Sequence, residues 1–133
     1  MIGNTESLDK SCRGIIERAR ADQDVLAVMV YGSRARGEGT PTSDIDICLV
    51  LHPVTYSQLE LSQKKLEYLK SFEIDLQVYQ QLPIYIKRRI LREGETLFCR
   101  DEDKLYEVAY RTAQEFEDFK HIYYNYLEEI GHG

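Results

Sequence analysis

GSRARGEGTPTSDIDICLV, Gly32 to Val50, opens as a Gly-Ser turn and ends as a strand whose first residues carry two aspartates. Successive side chains of a strand point to opposite faces, so Asp44, Asp46 and Cys48 share one side while Ile45, Ile47 and Leu49 share the other. Two carboxylates one residue apart on a common face repel each other unless a cation sits between them or one takes up a proton. A hard cation is the natural answer, because magnesium takes oxygen ligands and combines one or two carboxylates with phosphate oxygens and water. The pattern therefore predicts a phosphate-bearing substrate. Gly32 lets the backbone approach a phosphate closely. Ser33, capping a short helix through Gly37, would offer its hydroxyl beside free amides, and Arg36 would add charge to hold a leaving pyrophosphate.

Outward from this stretch the chain alternates helix and strand. Leu8, Cys12, Ile15, Ile16 and Ala19 are spaced for a helix from about Glu6 to Ala21. VLAVMVYG, Val25 to Gly32, is nearly continuous in apolar residues and suits a strand covered on both faces. Residues Glu38 to Ser43, with Gly39 and Pro41, read as a loop. Asp44 to Leu51 is the second strand, ended by Pro53, and Ser57 with Glu60 forms a capping box for a helix carried by Leu59, Leu66 and Leu69 to about Lys70.

FEIDLQVY, Phe72 to Tyr79, alternates again and turns Asp75 away from its apolar side. Placed beside the second strand on the same side, Asp75 completes a site for two cations, as a ligand or as general base for an acceptor hydroxyl. A short helix over Ile84 to Leu91, stopped by Gly94, and an extended piece at Thr96 to Cys99 follow. Asp101 or Asp103 then caps a final helix reaching about Ile130, with Leu105, Val108, Ala109, Phe116 and Phe119 among its apolar positions. Such a helix spans about 40 Å, more than its own core needs, and its clustered Tyr123, Tyr124 and Tyr126 suit either a partner or the parent domain.

A chain of 133 residues supplies one core, and no repeat or linker divides it, so residues 1–133 read as a single domain. The net charge of −6 argues against strong non-specific nucleic-acid binding, which depends on lysine and arginine displacing counterions. Lys87, Arg88, Arg89 and Arg92 form a local basic cluster, read as a solvated helix face. No apolar run is long enough for a bilayer span and MIGNTESLDK lacks the marks of a signal peptide, so a soluble cytoplasmic protein is expected. Cys12, Cys48 and Cys99 lack paired metal-ligand spacing and read as small buried hydrophobes; His52, His121 and His132 are scattered. The Gly-Lys-Ser/Thr of a Walker NTPase is missing.

Gly32-Ser33, ten further residues, Asp44 and Asp46 at the head of a strand, and Asp75 in a following strand together resemble the nucleotidyltransferase superfamily that includes DNA polymerase beta. The match runs from about Val25 to Tyr79, with Ala35, Arg36, Gly37 and Ser43 fitting the motif of its small members, the minimal nucleotidyltransferases or MNT proteins. This resemblance implies an α/β (α+β) nucleotidyltransferase fold, a short mixed sheet packed with helices. It implies triphosphate binding by Gly32 and Ser33, with Arg36 and Ser43 in the nucleotide site, and Mg2+, two ions, held by Asp44, Asp46 and Asp75. It further implies ATP as substrate and transfer of AMP to a hydroxyl, tyrosine above all, of a HEPN-type RNase toxin for which the chain is the antitoxin. Two alternatives stay open: a non-catalytic antitoxin acting by occlusion, and a small-molecule nucleotidyltransferase of the aminoglycoside type. The final helix also leaves a homodimer open.

Overall fold

The computed structural model describes residues 2–32, 46–72 and 74–132, side chains of 2–11 and 132 excepted. In chain order the elements are α1 (Ile2–Ala21), β1 (Val25–Tyr31), β2 (Asp46–Leu51), α2 (Gln58–Ser71), β3 (Asp75–Val78), a 3-10 turn (Tyr79–Gln81), α3 (Ile84–Glu93), β4 (Glu95–Cys99) and α4 (Glu102–His132). The short helix expected from Ser33 to Gly37, the loop at 38–43 and Asp44 lie outside the described residues, as does the side chain of Leu8.

The four strands form one mixed sheet in the order β3-β2-β1-β4. β1 runs antiparallel to β2 and β4, and β2 runs parallel to β3. A parallel neighbour needs a crossover, and α2 provides it. β1 and β2 are the interior strands, which explains their near-continuous apolar sequence: Val25 to Val30 and Ile47 to Leu51 are all buried. α1 and α2 cover one face, where Cys12, Ile15 and Ala19 meet Val28, Val30, Ile47, Leu49, Leu61, Tyr68 and Leu76. α3 and α4 cover the other, where Ile90 and Val108 pack on Ala27, Met29, Cys48 and Val50.

Local chemistry fixes the ends of these elements. Ser57 Oγ accepts from the Glu60 amide at 3.1 Å while Glu60 Oε1 accepts from the Ser57 amide at 3.2 Å, the reciprocal capping box expected for α2. Asp101 Oδ1 accepts from the Lys104 amide at 3.3 Å at the start of α4, deciding between Asp101 and Asp103. Arg100 closes the C-terminal end of α1 from outside: its guanidinium donates to the carbonyls of Ala19, Arg20, Asp22 and Val25 at 2.8–3.2 Å, filling acceptors that a helix leaves open.

The buried side of α2 differs from the one its leucines suggest. Leu61 and Tyr68 enter the core, whereas Leu59, Leu66 and Leu69 are exposed. Tyr68 wins the inward position because its hydroxyl finds a partner there, donating to Asp22 Oδ2 at 3.0 Å. Lys64 Nζ joins the same cluster, 2.9 Å from Asp22 Oδ2 and 3.1 Å from Asp24 Oδ2. Burial by itself would raise the Asp22 carboxyl, but hydrogen bonds from Lys64, Tyr68 and the Asp24 amide outweigh it and hold the group below its ordinary value. Burial likewise opposes the charge on Lys64, yet its bonds to Asp22 and Asp24 hold its pKa above the ordinary value.

A depressed carboxylate contributes stability above about pH 4 and loses it as pH falls through the folded value; a raised lysine contributes below about pH 10 and loses it above. Asp22→Asn is therefore expected to cost about 2–3 kcal/mol at neutral pH, a buried-pair loss discounted for the partial exposure of the cluster. It should also flatten the acid limb of stability below about pH 4, measured by urea unfolding across pH.

The cysteines behave as small apolar groups: Cys12 and Cys48 are buried, Cys99 half-buried, all three free thiols. Burial pushes the Cys48 thiol well up, so it stays protonated. The basic cluster of α3 is only partly solvated. Arg88 stacks on the Phe116 ring at 4.3 Å, Lys87 lies over Tyr79 at 5.4 Å, and Arg89 pairs with Glu93 at 3.0 Å. No helix among the described residues is long and apolar enough to cross a membrane.

Candidate active site

The carboxylates gather where β1 ends and β2 and β3 begin. Tyr31 on β1 pairs in register with Asp46 on β2, and Asp46 pairs with Asp75 on β3. Directly paired residues of neighbouring strands point to the same side, about 4.8 Å apart, so the three form a row across the sheet on its α3/α4 side. Asp46 is half-buried and Asp75 exposed, a gradient from the sheet toward solvent.

Gly32 follows Tyr31 with φ +92°, a backbone conformation that glycine adopts freely and other residues rarely. A Cβ at this position would overlap Asp46 Oδ2. The glycine thus does two things at once. It turns the chain out of β1, and it leaves room for the Asp46 carboxylate against bare backbone.

Asp75 has its own support. Gln77, two residues on and therefore on the same face, donates from Nε2 to Asp75 Oδ1 at 3.5 Å, and its Oε1 accepts from Lys65 Nζ at 3.1 Å. The negative field of the row is felt by Tyr31, whose phenol is pushed well above its ordinary value by burial first, then also by the Asp46 and Asp75 carboxylates. Tyr31 accordingly stays protonated.

Of the residues singled out from sequence, Gly32, Asp46 and Asp75 converge in the structure. Ser33, Arg36, Ser43 and Asp44 lie outside the described residues. Among the described residues no three His, Cys, Asp or Glu side chains form a metal-holding group. The described contribution is the Asp46–Asp75 pair, whose all-oxygen donors suit a hard cation. Sequence reasoning missed Tyr31 and Gln77. Both were recoverable from strand alternation, since Tyr31 continues the Ala27–Met29 face and Gln77 the Asp75 face. A separate cleft of about 240 Å3, lined by Thr55, Tyr79, Lys87, Arg111 and Glu115 among others, lies toward the opposite ends of β2 and β3 and includes none of these carboxylates.

Residues 13–103 match the polymerase beta nucleotidyltransferase family, and the chain belongs to it. It is a nucleotidyltransferase. A Methanocaldococcus jannaschii protein assigned as a protein adenylyltransferase is 34% identical over 97 residues, 72% of this chain and 73% of that protein. Among solved structures, a chain of a toxin–antitoxin complex with AMP-PNP superposes with a TM-score of 0.61 at 17% identity, covering 86% of this chain and 94% of the other. A complex of tri-AMPylated Shewanella oneidensis HEPN toxin with its MNT antitoxin gives 0.58 at 14% identity, covering 88% and 93%. At these identities the structural likeness speaks to the fold alone.

Proposed function

We propose that this chain transfers AMP from ATP to a hydroxyl, preferentially of tyrosine, on a HEPN-type RNase, and acts as that toxin's antitoxin in the cytoplasm. The observation that carries the reading is the in-register Asp46–Asp75 pair with the Asp46 carboxylate seated against the bare backbone of Gly32. The likeness to a protein adenylyltransferase supports the acceptor class, and the MNT-type fold supports the partner.

In this reading Gly32 and Ser33 bind the triphosphate through backbone amides and a hydroxyl, with Arg36 and Ser43 completing the nucleotide site. Asp44, Asp46 and Asp75 are the residues that would hold magnesium. When bound, that ion supplies neutralisation of phosphate charge and polarisation of the reacting oxygens. Asp75, the exposed member, faces the side from which a protein hydroxyl arrives and takes up its proton as the oxygen attacks. The oxygen–phosphorus bond to the acceptor forms, the bond between the α-phosphorus and the bridging oxygen breaks, and pyrophosphate leaves, with Arg36 as the charge that would hold it. Gln77, anchored by Lys65, orients the Asp75 carboxylate. Tyr31 walls the inner side of the row.

Pyrophosphate release tests this chemistry directly. With ATP, magnesium and the protein encoded beside this chain as the proposed RNase acceptor, release is expected to need all three components. Inhibition of the RNase that proceeds unchanged without ATP would instead establish neutralisation by occlusion.

A further inference from the structure

We propose that the distal half of α4, residues 117–131, is a docking face for two helices of a basic-rimmed partner protein; this rests on the partner reading above and gives that partner a surface. α4 has 31 residues, about 46 Å of helix. Its first half is held by its own domain: Val108 and Thr112 are buried, and Leu105, Ala109 and Phe116 half-buried. Arg88 of α3 covers the Phe116 ring at 4.3 Å. Beyond Phe116 the same stripe continues with Phe119, Ile122, Tyr123, Tyr126, Leu127 and Ile130, each 42–68% exposed. The rings make the continuity concrete, with Phe116–Phe119 centroids 6.4 Å apart and Phe119–Tyr123 stacked at 6.1 Å. Every residue from Glu117 to Gly131 is exposed. About four turns of helix without tertiary support are marginal in water, so this apolar face needs a cover.

The width and the charge of the face select the cover. At 100° per residue the six apolar positions span about 140° of the helix circumference. That is wider than the seam a single partner helix fills and matches a helix lying in the groove between two others. The exposed half carries Glu117, Asp118, Glu128 and Glu129 against one lysine, Lys120; Asp118 and Glu129 border one edge of the stripe, Lys120 the other, and Glu117 and Glu128 lie behind it. A second copy would bring the same net negative charge and repel, and an anionic lipid surface would repel likewise. Lysine and arginine on the partner's rim would attract. The six side chains offer roughly 500 Å2, to which a polar rim adds toward the roughly 800 Å2 per partner of a standard interface.

The test uses the full chain carrying Ile122→Ala and Tyr126→Ala, which preserve helix propensity, and the protein encoded beside it as the RNase of the proposed function. Affinity is read by calorimetry, AMP transfer by mass and self-association by sedimentation. The double variant is expected to bind the RNase about 100-fold more weakly, with ATP binding unchanged. A Leu59→Ala/Leu66→Ala variant on the exposed side of α2 is expected to stay within about threefold of the parent, as surface changes outside an interface do. Equal affinity of the Ile122/Tyr126 variant and the parent, with transfer intact, would overturn the docking face and leave the proposed function standing. A parent that self-associates and becomes monomeric in that variant would assign the face to a second copy and overturn the proposal. A parent that never binds the RNase would remove the partner reading, and this surface with it.

Discussion

Asp46→Asn is expected to lower nucleotidyl transfer by about 10^3-fold while the folded state keeps its stability. The substitution preserves size and shape, so the register Tyr31–Asp46–Asp75 and the fit against Gly32 persist. What is lost is one full negative charge in the row. In the proposed site that charge is what binds a hard cation and places the triphosphate, so catalysis falls while the core built by Ile47 and Leu49 behind it is untouched. Removing one of two neighbouring carboxylates also relieves repulsion, so the thermal midpoint should hold or rise slightly. Pyrophosphate release and thermal melts on the same sample check both halves. A stable variant with full activity would exclude Asp46 from the chemistry.

Gly32→Ala carries the second large effect and reaches it by another route. A non-glycine residue at φ +92° costs about 1–3 kcal/mol in backbone strain, and the added methyl overlaps Asp46 Oδ2, so the carboxylate must rotate or the turn must open. Either displacement moves a proposed metal ligand, and a misplacement of about 1 Å is enough to cost roughly 10^2-fold in rate. The expected signature is a combined loss: lower stability in urea together with lower transfer, in contrast to the clean catalytic loss of Asp46→Asn. An alanine variant that retains both would mean that the close approach of backbone to carboxylate serves neither.

The parts of the fold that the sequence carries plainly are those set by local chemistry. The apolar run at Val25 to Val30 marks an interior strand, the Ser57–Glu60 pair marks a helix start, and Gly94 marks the end of α3. Asp75 is legible because alternation fixes its face and because a strand–helix–strand order makes β3 a parallel neighbour of β2. The register that sets Asp75 opposite Asp46 is a long-range pairing and comes only from the structure.

The inward face of α2 was hidden for a different reason. Leu59 and Leu66 lie seven residues apart just as Leu61 and Tyr68 do, and the bond from the Tyr68 hydroxyl to Asp22, which Lys64 also holds, decides between them. Arg100 closing α1 is equally non-local, joining residues 75 to 81 positions apart. The long final helix announced its excess length in its sequence. The structure adds which side is left bare, and Tyr123, Tyr124 and Tyr126 are all among the exposed residues.

In the proposed function the row headed by Asp46 moves AMP onto a protein partner. That transfer is read from the intact mass of the protein encoded beside this chain, taken as the proposed RNase partner, after incubation with the chain, ATP and magnesium, with Asp46→Asn as control. A gain of one or more AMP units on that partner is expected, absent with the variant. An unmodified RNase that is nevertheless bound and inhibited, equally by parent and variant, would contradict it.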